Sequence, residues 1–201
     1  MTANKLSKIY SATTLGLSTP LIEVELDITR SIPKFTIVGL GDTAVQESRE
    51  RVMSAIKNSG FEFPRGKVTV NLAPADIRKQ GPFFDLPICM ALLQSQKDIT
   101  KDLSSALFIG EVALDGSLRH VNGALSITIA AREAGFQELY LPLSNIQEAT
   151  LIDGIDIYGI ENIKQLVQHL NGVSPLDPHP KQDPYQFDMQ SNISVDFSDI
   201  K

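Results

Sequence analysis

The stretch from Val68 to Gln96 constrains this chain most. Val68, Val70 and Leu72 alternate with Thr69 and Asn71, the period of a strand with one buried face. Pro74 and Gly81-Pro82 then break the pattern. Leu86, Ile88, Cys89, Met90, Ala91, Leu92 and Leu93 follow without a polar face, which predicts a helix inside the domain. Asp85 is expected to cap that helix by accepting unpaired first-turn N–H groups, and Pro87 falls where a missing N–H does no harm. A strand that feeds a buried helix through a Gly-Pro turn can hold chemistry.

The 201 residues suffice for one good core. No apolar run reaches the roughly 18 residues of a membrane span, and the N-terminus lacks the apolar core of a signal peptide. The single cysteine, Cys89, excludes an internal disulfide and fits a reducing, cytoplasmic setting; within an apolar helix it reads as a packing thiol. A net charge of −6 argues against bulk attraction to nucleic acid or an anionic membrane, though not against a local patch.

Before the central stretch, residues 5–30 predict two strands. In the second, Ile22, Val24, Leu26 and Ile28 face inward, and Glu23, Glu25 and Asp27 form a solvated outer face. A third strand spans 34–40. Gly39-Leu40-Gly41 lacks the remaining glycines of a dinucleotide fingerprint and the Gly-Lys-Ser/Thr of a phosphate loop, so it reads as a tight turn. Thr43 and Gln46 form a candidate capping box for a helix that ends near Ser59-Gly60. Val45, Val52, Ala55 and Ile56 make its inward stripe, and Glu47, Arg49, Glu50, Arg51 and Lys57 face water. Later come a hairpin over 107–121 around Asp115-Gly116, a helix over 123–134, a strand over 138–142 and a helical turn over 145–150. A strand over 155–158 and a helix over 161–170 complete the set. Residues 174–201 carry four prolines, five aspartates and two lysines and read as an extended linker, poorly ordered in isolation. The domain is therefore expected over 1–172, with a Pro/Asp-rich linker over 173–201 that implies a longer protein.

The motifs F-T-I-V-G-L (35–40), E-S-R-E-R (47–51), S-G-F-E-F-P (59–64), V-N-L-A-P-A-D (70–76) and D-L-P-I (85–88) resemble the N-terminal domain of the ComM/YifB family of Mg-chelatase-like AAA+ ATPases. The resemblance covers about residues 5–172. It implies an α+β fold of the Lon-protease-like, ribosomal protein S5 domain 2-like class. The closing D-F-S-D-I-K (196–201) resembles the entry to that family's ATPase module. ATP and Mg2+ are expected in such a module; no Walker A motif and no cofactor site is expected in this chain.

In Lon-type peptidases a serine follows the Gly-Pro turn, and a lysine on the later helix serves as its base. At the matching positions this chain has Phe83 and Leu125, neither of which can move a proton. A Ser-Lys peptidase is thus disfavoured, and His120, His169 and His179 lack metal-ligand spacing.

A DNA role has a modest basis in the residues themselves. Between Thr43 and Gly81, seven cations (Arg49, Arg51, Lys57, Arg65, Lys67, Arg78 and Lys79) stand against four acids, a local excess of three positive charges. A mixed, solvated helix face with two loop pairs explains the same residues. The resemblance adds weight to DNA, because ComM-like ATPases are implicated in branch migration during recombination and natural transformation. The resulting expectation is a catalytically silent domain that supports hexamer assembly and DNA engagement, with the acidic strand 21–28 and the basic stretch 49–79 suited to head-to-tail contacts. The alternative is a purely structural or regulatory domain of a chaperone-like ATPase. No tetrapyrrole role and no membrane partner is expected.

Overall fold

The alternating runs become strands of one mixed sheet. The computed structural model describes residues 6–16, 18–79 and 81–182. In chain order the elements are β1 (Ser7–Ala12), β2 (Leu21–Thr29), β3 (Lys34–Val38), α1 (Thr43–Asn58), β4 (Lys67–Ala73), α2 (Asp85–Gln96) and β5 (Ala106–Phe108). There follow β6 (Glu111–Val112), β7 (Leu118–Arg119), α3 (Ala124–Glu133), β8 (Glu138–Pro142), α4 (Ile146–Ala149), β9 (Asp156–Ile160) and α5 (Ile163–Leu170). Among the described residues the main sheet has seven strands in the order β3-β4-β2-β1-β5-β8-β9, and β6-β7 forms a separate ribbon. β2 pairs antiparallel with β1 and β4, and the other pairings in the main sheet are parallel. Parallel neighbours need crossovers, and α1, α3 and α4 lie in those connections.

Alternation along the strands divides the interior in two. Ile22, Val24 and Leu26 of β2, Val68, Val70 and Leu72 of β4, and Tyr140 of β8 join a core with residues of α1, α2 and α5. Leu139 and Leu141, which flank Tyr140, point to the opposite face and pack with Ala124, Ile127 and Ala131 of α3. Glu23, Glu25 and Asp27 stay partly exposed, as a half-buried strand requires. The central helix is as buried as its composition demands: Asp85 through Leu93 are all inside. Each large aliphatic side chain there contributes about 1.5–3 kcal/mol of burial free energy.

Four local expectations need correction. Asp42, not Thr43, caps α1; its carboxylate accepts the Val45 N–H at 3.0 Å. The Asp42 carboxylate, one residue earlier, sits at the N-cap and reaches the first-turn donor. Asp85 does not cap α2, which has Phe84 at its N-cap and no side-chain cap bond. The run 107–121 is not one hairpin: β5 joins the main sheet beside β1 and β8, and only β6 and β7 pair across the Asp115-Gly116 turn. The fourth concerns the linker. Its described part, 173–182, is extended but fastened to the domain. The His179 N–H donates to the Ile157 carbonyl of edge strand β9 at 2.8 Å, Gln182 N–H donates to Thr150 O at 2.9 Å, and Lys181 pairs with Asp153 at 3.0 Å. The D-F-S-D-I-K segment lies outside the described residues.

His169 adds a further attachment, at Leu176. Its Nδ1 accepts the Leu176 N–H at 2.9 Å, so in the neutral ring the proton sits on Nε2, 3.2 Å from the Tyr140 hydroxyl. That hydroxyl donates to Glu138, which also holds Lys101 at 2.7 Å. Tyr140 stacks between Phe108 and Tyr158, each 4.9 Å away between centroids. Burial, and then the charge of Lys101, hold the His169 pKa below its ordinary value of 6.5, while Glu138 opposes them. The unfolded chain therefore takes up this proton before the folded one does, and stability falls as pH drops from about 6.5 toward the lowered folded value. Thermal unfolding measured from pH 7 to pH 5 should show that loss. The His169→Gln substitution should flatten the dependence; an unchanged slope would contradict this account of His169.

Candidate functional site

The corner between β4 and α2 is where the sequence places its chemistry. Gly81 adopts φ +79°, and a Cβ there would meet the Phe83 ring at 2.9 Å, so glycine is required. A short turn, Pro82–Phe84, leads into α2. The Phe83 carbonyl accepts the Gly110 N–H and the Leu86 N–H donates to the Gly110 carbonyl, both at 3.0 Å, which stitches the corner to the segment after β5. Phe83 is half-buried and packs against the α3 side of the core, and Leu125 on α3 is half-buried as well. Neither side chain carries a nucleophile or a base.

The polar centre of the corner is Asp85, which is wholly buried. Arg51 grips it with two bonds, Nε to Oδ2 at 2.7 Å and Nη2 to Oδ1 at 3.1 Å. The Ser48 hydroxyl donates to Oδ1, and the Val112 N–H donates to Oδ2 at 3.3 Å. Burial pushes the carboxyl above the usual carboxylate range, and the bonds from Arg51 and Ser48 pull it back. The same hydrogen bond to Asp85 raises Arg51. Arg51 was expected to face water and does not. It lies three residues after Ser48 and one before Val52, both buried, at the margin of the inward stripe. Its Nη2 also donates to the Ala44 carbonyl at 3.0 Å.

Lys79 is a second inward cation. Its side chain is fully buried, its ammonium donates to the Pro74 carbonyl, and burial lowers its pKa. It was counted with Arg78 among the cations suited to DNA; only Arg78 is exposed. The glycine turn offers no phosphate cradle. A Cβ on Gly39 would lie 2.2 Å from the Leu72 carbonyl oxygen, and the α1 N-terminus already holds the Asp42 carboxylate, which also accepts the Gly81 N–H at 3.2 Å.

The remaining cations divide by position. Arg49 is half-buried, with Nε donating to the Gln46 carbonyl at 3.2 Å. Lys57, Arg65 and Lys67 are exposed and gather at one end of the sheet, near the last turn of α1. Lys34 joins them: it sits opposite Lys67 in the β3-β4 register and was missed because the basic count began at Thr43. None of these four cations makes an ion pair among the described residues. On the acidic strand, Glu23 pairs with Lys8 at 2.5 Å and Glu25 accepts from Asn71 at 2.8 Å. Cys89 is buried, and desolvation raises its thiol well above the ordinary value. Among the described residues no group of three or more His, Cys, Asp or Glu could hold a metal ion, and no helix is long and apolar enough to cross a membrane.

The Arg51–Asp85 pair yields a sharp prediction. Arg51→Ala strands a buried carboxylate and should cost roughly 3–5 kcal/mol of unfolding free energy. The double substitution Arg51→Met with Asp85→Leu removes both charges and should recover most of that loss. Urea denaturation checks both; a loss below about 1 kcal/mol in Arg51→Ala would contradict a buried ionised pair.

The comparisons with known proteins now bear on this geometry. A family model described as subunit ChlI of Mg-chelatase matches residues 24–145. The uncharacterized protein YifB of Escherichia coli is 37% identical over 190 residues, covering 94% of this chain and 37% of YifB. The competence protein ComM of Haemophilus influenzae is 37% identical over 172 residues, covering 85% of this chain and 34% of ComM. More distantly, Lon protease 2 of Syntrophobacter fumaroxidans is 25% identical over 176 residues, covering 81% of this chain and 21% of that protease. The chain thus spans little more than a third of the length of YifB or ComM. The family model covers more than half of the chain, and the motifs at 35–40, 47–51, 59–64 and 70–76 lie within it, so this chain belongs to the Mg-chelatase subunit ChlI family, alongside YifB and ComM.

Proposed function

We propose that this chain is a non-catalytic, Lon-like domain of the S5 domain 2-like class that engages DNA and helps assemble an AAA+ ring. ATP hydrolysis with Mg2+ would belong to another part of such a protein. The observation that carries the reading is the cluster Lys34, Lys57, Arg65 and Lys67, four cations without an ion pair among the described residues, at one end of the sheet in a chain whose net charge is −6. Proteins do not leave such clusters unneutralised without cost, and a polyanion relieves the mutual repulsion by displacing counterions. The mixed sheet and the distant likeness to a Lon protease favour the Lon-like fold. The name of ComM, a competence protein, favours DNA handled during natural transformation as the setting.

The corner favours a binding or structural role over peptide hydrolysis. Phe83 and Leu125 stand where a Lon-type serine and lysine would be needed, and the buried Lys79 amine has only the Pro74 carbonyl as a hydrogen-bond partner among the described residues. Ring assembly rests on a separate observation. Glu23 and Glu25 of β2 stand opposite Ala73 and Asn71, well along the strands from Lys67, so copies could meet head to tail, with a hexamer as the expected closed form.

Charge reversal separates DNA engagement from a purely structural role. In the full-length protein, Lys57→Glu, Arg65→Glu and Lys67→Glu together should weaken DNA binding and reduce the slope of log K against log salt by about 0.7–0.9 for each phosphate that is no longer neutralised. Arg51 is left intact because its removal would disturb the fold. Unchanged affinity and slope would reduce the domain to a structural or regulatory part.

A further inference from the structure

The basic end of the sheet surrounds something the charge count does not explain. Between the edge strand β3, the last turns of α1 and the loop before β4 lies a hollow of about 440 Å³. Phe35, Met53 and Phe63 give it an apolar lining, and Lys34, Lys57 and Arg65 stand around it. The two phenyl rings are 5.5 Å apart and tilted by 46°, so Phe63 is braced by Phe35. Phe35 itself is 8% exposed and anchored in the core. The loop is held close as well: Gly66 leaves no room for a side chain, since a Cβ there would lie 2.4 Å from the Thr29 carbonyl oxygen. Beside Pro33 on the rim, Ile32 is 85% exposed.

We infer that this hollow receives one unstacked base of a single-stranded nucleic acid, with Lys34, Lys57, Arg65 and Lys67 holding the phosphates on either side. The inference rests on the DNA reading above and narrows it to a strand class. Cations alone would suit any polyanion. An apolar, aromatic-lined hollow among them suits a polyanion that carries flat apolar faces between its charges, and the volume falls within the roughly 300–1,000 Å³ of small-ligand sites. A duplex keeps its bases stacked and offers the hollow nothing but phosphate. A single strand can turn a base out onto Phe63 while its neighbouring phosphates meet the cations. Lys34 and Lys67, on adjacent strands, stand roughly 4.8 Å apart in the sheet, so they act as one doubly charged contact.

Fluorescence anisotropy of the 201-residue chain tests this with three short probes of equal length: an oligothymidylate, the same sugar-phosphate strand without bases, and a duplex. The intact strand should bind roughly tenfold tighter than the abasic strand, because stacking one base on an aromatic ring has that order of effect. The duplex should behave like the abasic strand. Phe63→Leu should abolish the preference for bases and leave the salt slope unchanged. Lys57→Glu with Arg65→Glu should weaken binding of every probe, and Lys164→Glu on α5, an equal charge change elsewhere, should not. Equal binding of intact and abasic strands by the unaltered chain overturns the base site; if that binding is still salt-dependent and disappears in the Lys57/Arg65 variant, phosphate engagement survives without it. Absence of binding to all three probes, with the Lys57/Arg65 variant altering the sedimentation of the chain, overturns the inference differently: the hollow would be a contact between copies.

Discussion

A single buried carboxylate organises the domain. Asp85 begins a helix with no polar face, far from solvent, and an ionised group there is tolerable only if its charge is matched and its lone pairs are filled. Arg51 and Ser48 from α1 and the Val112 N–H from β6 do both. Three elements distant in sequence thus meet at one side chain, which sets how α1 lies against α2. The consequence reaches the surface. Met53 and Lys57 follow Arg51 on the same helix, so the bond that satisfies the core also brings them to the basic hollow. Hydrophobic burial supplies most of the stability, but it is not directional and would accept many rotations of α1; the bidentate Arg51 fork accepts few.

The corner beside Asp85 joins two kinds of demand. Gly81 and Pro82 make a turn whose geometry a nucleophile site could use, and the α2 N-terminus begins just beyond it. Backbone donors in that region are already committed, with Leu86 to Gly110, Gly110 to Phe83 and Gly81 to Asp42. A corner whose N–H groups are spent on holding the fold has few left for an oxyanion, and Phe83 adds packing where reactivity would need a polar group. Likeness to a Lon protease at 25% identity alongside 37% identity to YifB and ComM fits a shared framework put to different ends.

Much of the framework was legible because it rests on periodicity. β2 and β4 announce themselves through alternation, and α2 through eight consecutive apolar residues, Leu86 to Leu93, that only an interior could accept. What escaped depends on one side chain choosing among several donors. Asp42 and Thr43 are both good caps, and only the backbone decides which faces Val45. Asp85 is well placed for capping, yet a guanidinium that its local sequence does not reveal outcompetes the helix N–H groups. Arg51 misleads for the reciprocal reason, since a helical wheel puts it at the edge of the buried stripe and charge argues for water. An acid inside an otherwise apolar helix was the available signal that some cation must come to it. Lys34 was missed because proximity across β3 and β4 is a register, not a sequence interval. His169 gave no local sign of its role, which arises when the segment after α5 folds back on β9.

We propose the Lys34–Lys57–Arg65–Lys67 end of the sheet as the place where this domain meets nucleic acid. Photo-crosslinking tests it most directly. The full-length protein is irradiated with a strand containing 4-thiothymidine, and the attached peptides are mapped. Crosslinks should fall within residues 31–67, centred on Phe63 and its basic neighbours. Crosslinks that fall wholly outside residues 31–67 would contradict it.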